Sequence, residues 1–222
     1  MRGVAEPLDA TAVLLSSFHE LQSSVMKSSL LVAASLFIST IAASQSGPLS
    51  IDPASSKVIW TATKVTGEHT GGVPLKSGTL TVKDDVLLAA TVTMDMTGMT
   101  CTDIENEGAN AKLMGHLRSP DFFDTEKHGT ATFTTTAVEK LDVASGKPNY
   151  RVTGDLTIKG ITHPNTFDVL FWMEGKEARA AATITFDRTK YDIKYRSGTF
   201  FPEIGDKAIS DAVTLTFDVS AK

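Results

Sequence analysis

Residues 88–97 read LAATVTMDMT, and every second position (Leu88, Ala90, Val92, Met94, Met96) is apolar. A repeat of two is the mark of a strand with one buried face, and threonine between those positions suits an exposed pleat. The pattern spreads outward from this stretch in both directions. Val58, Trp60 and Ala62 follow it upstream. Downstream it returns at Val152, Gly154, Leu156 and Ile158, at Phe167, Val169, Phe171 and Met173, at Ala182, Ile184 and Phe186, and at Val213, Leu215, Phe217 and Val219.

Adding residues 78–83 and 130–138 gives about eight strands, with turns expected at Asp84-Asp85, Ser145-Gly146 and Glu174-Gly175, and His163 read as a turn residue before Pro164. The expected fold class is all-β. Antiparallel strands whose apolar residues share one face bury that face by closing into a barrel, whereas a flat sheet leaves it wet. One helix interrupts the strands. Thr102-Asp103-Ile104-Glu105 has the form of a capping box, which predicts Thr102 as N-cap, and Leu113 and Leu117 then share a face that can lie across one barrel opening. Ser119-Pro120-Asp121 restarts a short turn.

The chain has 222 residues, which fits one domain with additions. Met26-Lys27, the apolar run of residues 28–43 and the small residues 44–46 read as a secretory signal over residues 26–46. That run is shorter than the roughly 20 apolar residues of a membrane span. Residues 1–25 read as an extension ahead of the true start, or as a long n-region, and residues 47–222 as the barrel domain. The expected location is periplasmic or secreted, after cleavage. Residues 1–46 carry two basic and three acidic side chains, so residues 47–222 hold 21 − 2 = 19 Lys+Arg against 26 − 3 = 23 Asp+Glu, a net of −4. This balance argues against nucleic acid as a partner, because phosphate binding needs a basic surface. Cys101 is the single cysteine, so no intrachain disulfide forms.

Two motifs carry a family resemblance. GHLRSPDFFDTEKHGTATF at residues 115–133 and GDLTIKGITHP at residues 154–164 closely resemble the signatures of the YceI-like family of polyisoprenoid-binding, lipocalin-like proteins. The chain departs at Gly129, where proline is more usual. Residues 187–201, DRTKYDIKYRSGTFF, with Gly205-Asp206-Lys207 after them, are similar to a C-terminal loop of one subgroup. The resemblance implies an extended, eight-stranded antiparallel lipocalin-like barrel with a helical insertion. It also implies a ligand, an isoprenoid such as a prenyl quinone or a polyprenyl pyrophosphate, or another long-chain lipid.

The alternation names the side chains that would line such a channel: Trp60, Val92, Met94, Phe133, Leu156, Ile158, Phe167, Val169, Phe171, Ile184, Phe186, Leu215 and Phe217. At about 0.8 kcal/mol per buried CH₂, about 20 enclosed carbons give a gross gain near 16 kcal/mol, close to the practical affinity ceiling. Polar groups at the mouth would therefore select an orientation and a headgroup. The candidates are His116, Arg118, Phe122, Phe123, Tyr195 and Arg196, with Lys127, His128 and Tyr191 nearby. Arg118 pairs either with an oxygen-rich headgroup or with Asp121 or Asp124.

No cofactor, metal or catalytic residue is expected. The acidic trio Asp103, Glu105 and Glu107 is accounted for by the helix start, and His69, His116, His128 and His163 lack metal-site spacing. Two alternatives stand beside the lipid carrier: a barrel plugged by its own side chains that acts in envelope stress or through its surface, and an isoprenoid-modifying enzyme. A monomer or a homodimer fits the sequence equally.

Overall fold

Alternating strands need partners for both their apolar face and their backbone, and one continuous sheet supplies both. The computed structural model describes residues 44–222; the expected extension and nearly all of the expected signal lie outside the described residues. In chain order the strands are β1 (Gly47–Ser50), β2 (Lys57–Lys64), β3 (Gly67–Gly72), β4 (Leu75–Lys83) and β5 (Val86–Asp95). Helix α1 (Glu107–Arg118) follows, and then β6 (Thr130–Lys140), β7 (Tyr150–Ile158), β8 (Ile161–Glu174), β9 (Glu177–Asp187) and β10 (Ile209–Ala221). All ten join one sheet in the order β1-β4-β5-β6-β7-β8-β9-β10-β2-β3, with antiparallel neighbours. The sheet curls until β1 reaches the C-terminal end of β10: Ser50 and Lys222 exchange backbone hydrogen bonds of 2.9 Å, and Ile51 bridges Ala221.

Among the described residues, ten strands stand where eight were expected. The additional two, β1 and β3, escape pattern reading for physical reasons. The first has four residues, and the second is GEHTGG, which has no apolar alternation and is held by pairing with β2.

Three further expectations are corrected. The register on β5 jumps from Thr81–Ala89 to Val82–Leu87, which leaves Leu88 as the extra residue of a bulge. Leu88 is consequently exposed, and Leu87 takes the inner position. The helix begins at Asn106, whose side chain accepts the Ala109 N–H, and not at Thr102. Thr102 instead donates its N–H to the carbonyl of Thr70, extending a strap along the outer edge of β3. His163 lies within β8, and the reversal before it falls at Lys159-Gly160, both at positive φ. The expected turns at Asp84-Asp85, Gly146 and Gly175 are present, each with positive φ.

Strand β8 runs unevenly between its neighbours. Its pairing with β7 covers Ile161 to Val169, whereas its pairing with β9 begins only at Val169–Ala182. The first half of β8 therefore parts from β9, with one bond across the gap from Asn165 Nδ2 to the Thr185 carbonyl at 3.3 Å. Pro164, which has no N–H to give a ladder, sits on this open stretch.

Candidate functional site

Alternation places Tyr150, Val152, Gly154, Leu156 and Ile158 of β7 on the inner face, all buried. Gly154 is required there: a Cβ would stand 2.5 Å from the tip of the Phe133 ring and 2.5 Å from the Thr134 carbonyl. This glycine thereby seats an aromatic ring. Among the described residues, the barrel interior includes two separate apolar cavities of about 60 Å³ each.

The upper cavity is lined by Trp60, Met94, Ile158, Phe186 and Leu215 from the expected set, and also by Met96, Met99, Ile193 and Val213. Leu117 of α1 and Phe122 and Phe123 of the following turn also line it. The lower cavity is lined by Val92, Phe133, Phe167, Val169, Ile184 and Phe217, with Leu80, Leu87, Ala90 and Ala182. Leu156 and Phe171 are buried but line neither cavity. Leu156 stands between Ile158 of the upper cavity and Gly154, and Phe171 packs edge-on to Tyr150 at 5.7 Å.

Volume decides what these spaces take. A dry apolar cavity of about 150 Å³ accepts a benzene-sized guest. Each cavity here is smaller, so a lipid chain requires the neighbouring side chains to swing aside. The three methionines of the upper lining are suited to that, being unbranched and adaptable.

Of the polar mouth candidates, the structure brings His116 and Tyr195 together, sets Arg196 over the Tyr195 ring and turns Arg118 to a backbone carbonyl. The His116 ring meets Phe122 at 4.8 Å and Tyr195 at 4.5 Å, edge-on in both cases, and its Nε2 lies 3.2 Å from Asp121. Arg118 is exposed and donates to the Met99 carbonyl at 3.1 Å, and it forms neither of the ion pairs expected with Asp121 or Asp124. Asp124 is taken by Lys127 at 3.1 Å. Arg196 is exposed and lies over the Tyr195 ring at 5.3 Å. Tyr191 is not at the mouth: it is 2 % exposed, packed on Phe186 and His163, and burial pushes its phenol up to about 12.

Arg188 is the residue that the sequence reading missed. It is 2 % exposed and lines the upper cavity. Its guanidinium turns away from the cavity and donates to the carbonyls of Ser210 (2.9 Å), Ile193 (2.7 Å), Tyr195 (3.0 Å) and Ile209 (3.0 Å). Burial lowers its pKa, while Asp211 and Asp187 oppose that shift. A fifth bond runs from Nη2 to Asp211 Oδ1 at 3.4 Å, so all five donors of the arginine are used to fold the loop after β9 onto β10. A signal was available: Ala182, Ile184 and Phe186 put the next inward position at Arg188.

A wider concavity, about 650 Å³, is an open groove of mixed polar and apolar lining outside the barrel where β8 and β9 part. Arg151 and Asp168 form a two-bond ion pair on its rim, at 2.9 and 3.2 Å. Phe167, Ala182 and Phe217 border both this groove and the lower cavity.

The model of the YceI-like domain matches residues 49–221. The chain belongs to that family. Among solved structures it is similar to BcnA of Burkholderia cenocepacia, with 21% identity, a TM-score of 0.59, and coverage of 78% of this chain and 99% of that one. A polyisoprenoid binding domain from Saccharophagus degradans matches with 18% identity and a TM-score of 0.55, covering 78% and 97%. These likenesses share the lipocalin-like barrel. Among curated relatives, a UPF0312 protein of Ectopseudomonas mendocina is 39% identical over 74 residues, 33% of this chain and 37% of that protein. One from Photorhabdus laumondii is 38% identical over 93 residues, 42% and 45% respectively. The matched stretch spans less than half the length of these relatives.

Proposed function

We propose that this YceI-like chain binds and carries a long apolar lipid, an isoprenoid such as a prenyl quinone or a polyprenyl pyrophosphate, inside its barrel. The observation that carries the reading is the pair of stacked cavities lined by apolar side chains, whose one charged lining residue, Arg188, spends its donors on backbone carbonyls. An apolar pocket with no free polar group favours hydrocarbon over a sugar, peptide or nucleotide. The polyisoprenoid-binding description of the Saccharophagus degradans domain supports the same ligand class.

The chain would thread between the two cavities past Leu156 and Phe133, with Leu117, Phe122 and Phe123 moving as the lid. His116 and Tyr195 stand at that lid and would meet the headgroup. The protein acts as a binder without chemical turnover, exported to the periplasm or beyond once its signal is cleaved, and works as a monomer or homodimer. No helix among the described residues is long and apolar enough to cross a membrane. N-terminal sequencing of protein from the envelope tests export, and a retained residue 1–25 segment refutes it.

Native mass spectrometry of protein from its own host, before and after solvent extraction, tests the ligand. A bound mass lost on extraction and regained with a prenyl quinone is the expected result. The small size of the cavities favours one rival, a plugged barrel that works through its surface. A barrel that leaves its host empty and takes up neither prenyl quinone nor polyprenyl pyrophosphate establishes that rival instead.

A further inference from the structure

The strap between β5 and α1 lies along the outer edge of β3, held by Thr100 N–H to the Gly72 carbonyl and Thr102 N–H to the Thr70 carbonyl, both at 2.9 Å. This register sets Cys101 and Asp103 beside His69 of β3. His69 Nδ1 is 2.8 Å from Asp103 Oδ2, Cys101 Sγ is 3.2 Å from Asp103 Oδ1, and the three ligand atoms lie within 4.8 Å of one another. We propose that His69, Cys101 and Asp103 form a binding site for a divalent transition metal ion of the zinc type, with a fourth position left to solvent. The site is independent of the lipid reading.

The donor set selects the metal. An imidazole, a thiolate and a carboxylate are zinc ligands, whereas calcium and magnesium need more oxygens than one aspartate supplies. Bonds of about 2.0–2.3 Å at tetrahedral angles put ligand atoms roughly 3.3–3.7 Å apart. The His69–Asp103 and Cys101–Asp103 pairs would open by a few tenths of an ångström or somewhat more, and the widest pair would close by about 1 Å. The proton balance is simple. The thiol hydrogen now donated to Asp103 leaves as the sulfur binds, so a dipositive ion meets one thiolate and one carboxylate and the site is neutral.

Surrounding contacts hold the ligands in place. The Thr70 N–H donates to Asp103 Oδ1 at 2.9 Å and orients the carboxylate from outside the ligand set. Trp60 Nε1 donates to the Thr100 carbonyl at 2.9 Å and pins the strap from within the barrel. Gly71 permits the close approach, since a Cβ there would stand 1.8 Å from the Thr100 carbonyl oxygen. Access is one-sided: Cys101 is 7% exposed, while the His69 and Asp103 side chains are 29% and 28% exposed, so an ion arrives from their side and the sulfur stays shielded. Met99, on the same strap, lines the upper cavity, so a bound ion would tie down one of its walls.

The test is a titration of the full chain, stripped with a chelator and kept reduced, with cobalt(II) and then zinc(II). One equivalent of cobalt should produce a thiolate-to-metal charge-transfer band and intense visible bands of a tetrahedral ion, both erased by zinc. Cys101→Ser, nearly isosteric and still able to donate to Asp103 Oδ1 beside the Thr70 N–H, should keep its fold and lose the charge-transfer band. His69→Gln should weaken binding roughly tenfold or more. Zinc should also raise the urea midpoint of the native chain and leave that of Cys101→Ser unchanged. The absence of a charge-transfer band at one equivalent overturns the proposal. So does a band whose affinity is the same in His69→Gln as in the native chain, since that describes a cysteine acting alone.

Discussion

Leu156→Ala tests whether the barrel interior is a packed wall or an open channel. Leu156 is 1% exposed on the inner face of β7, paired with His163 on one side and Phe133 on the other, and lies between the two cavities. The substitution removes three carbons, which at about 0.8 kcal/mol each is roughly 2.4 kcal/mol of lost transfer energy. A cavity term of about 24 cal/mol per Å³ adds to it wherever neighbours fail to close in, and buried leucines of this kind lose about 2.7–5.0 kcal/mol in total. The Phe133 ring is already seated against Gly154, and the strand pairs on both sides fix the backbone, so little collapse is available and the loss should be about 3–5 kcal/mol. Urea unfolding should show it as a lower midpoint at an unchanged slope. A prenyl quinone that fills the joined space should restore part of the loss and bind the variant at least as well as the native chain. A loss below about 1 kcal/mol would falsify the packed interior described above.

Three other outcomes are expected. Tyr191 should stay protonated until about pH 12, seen as a phenolate absorbance delayed relative to an unfolded control. Its folded pKa lies above the unfolded value near 10, so its contribution to stability is complete below about pH 10 and declines by about 1.4 kcal/mol per pH unit as pH rises toward 12. Tyr191→Phe should abolish that decline, and an equally steep decline in the variant refutes the assignment. Asn106→Ala removes the acceptor for the Ala109 N–H and should cost about 1 kcal/mol in thermal or urea unfolding, whereas Thr102→Ala should leave the helix content unchanged. Arg188→Lys replaces five donors with three, leaving carbonyls among Ile193, Tyr195, Ile209 and Ser210 unpaired. A loss of about 1–3 kcal/mol is expected, with faster hydrogen exchange at the Ile193 and Ile209 amides, and unchanged exchange there would remove the clamp role.

The sequence by itself determined the sheet and its inner face. Period two is local, because each residue's side is set by its own pleat, so Val92, Met94, Leu156, Ile184 and Leu215 could be assigned inward without knowing any partner strand. The helix and the Phe122-Phe123 pair that line the upper cavity were legible because they lie close together along the chain. What the tertiary structure alone decided depends on distant segments meeting. The bulge at Leu88 follows from register with β4, β3 exists because β2 and the strap bracket it, and the helix starts at Asn106 because Thr102 and Asp103 are engaged by Thr70 and His69. Gly154 is one more inward position in one dimension and becomes a seat for Phe133 in three. His69 and Cys101, 32 positions apart, show no ligand spacing in the chain, since their separation is spanned by two strands and a strap whose pairing alone brings the two groups together.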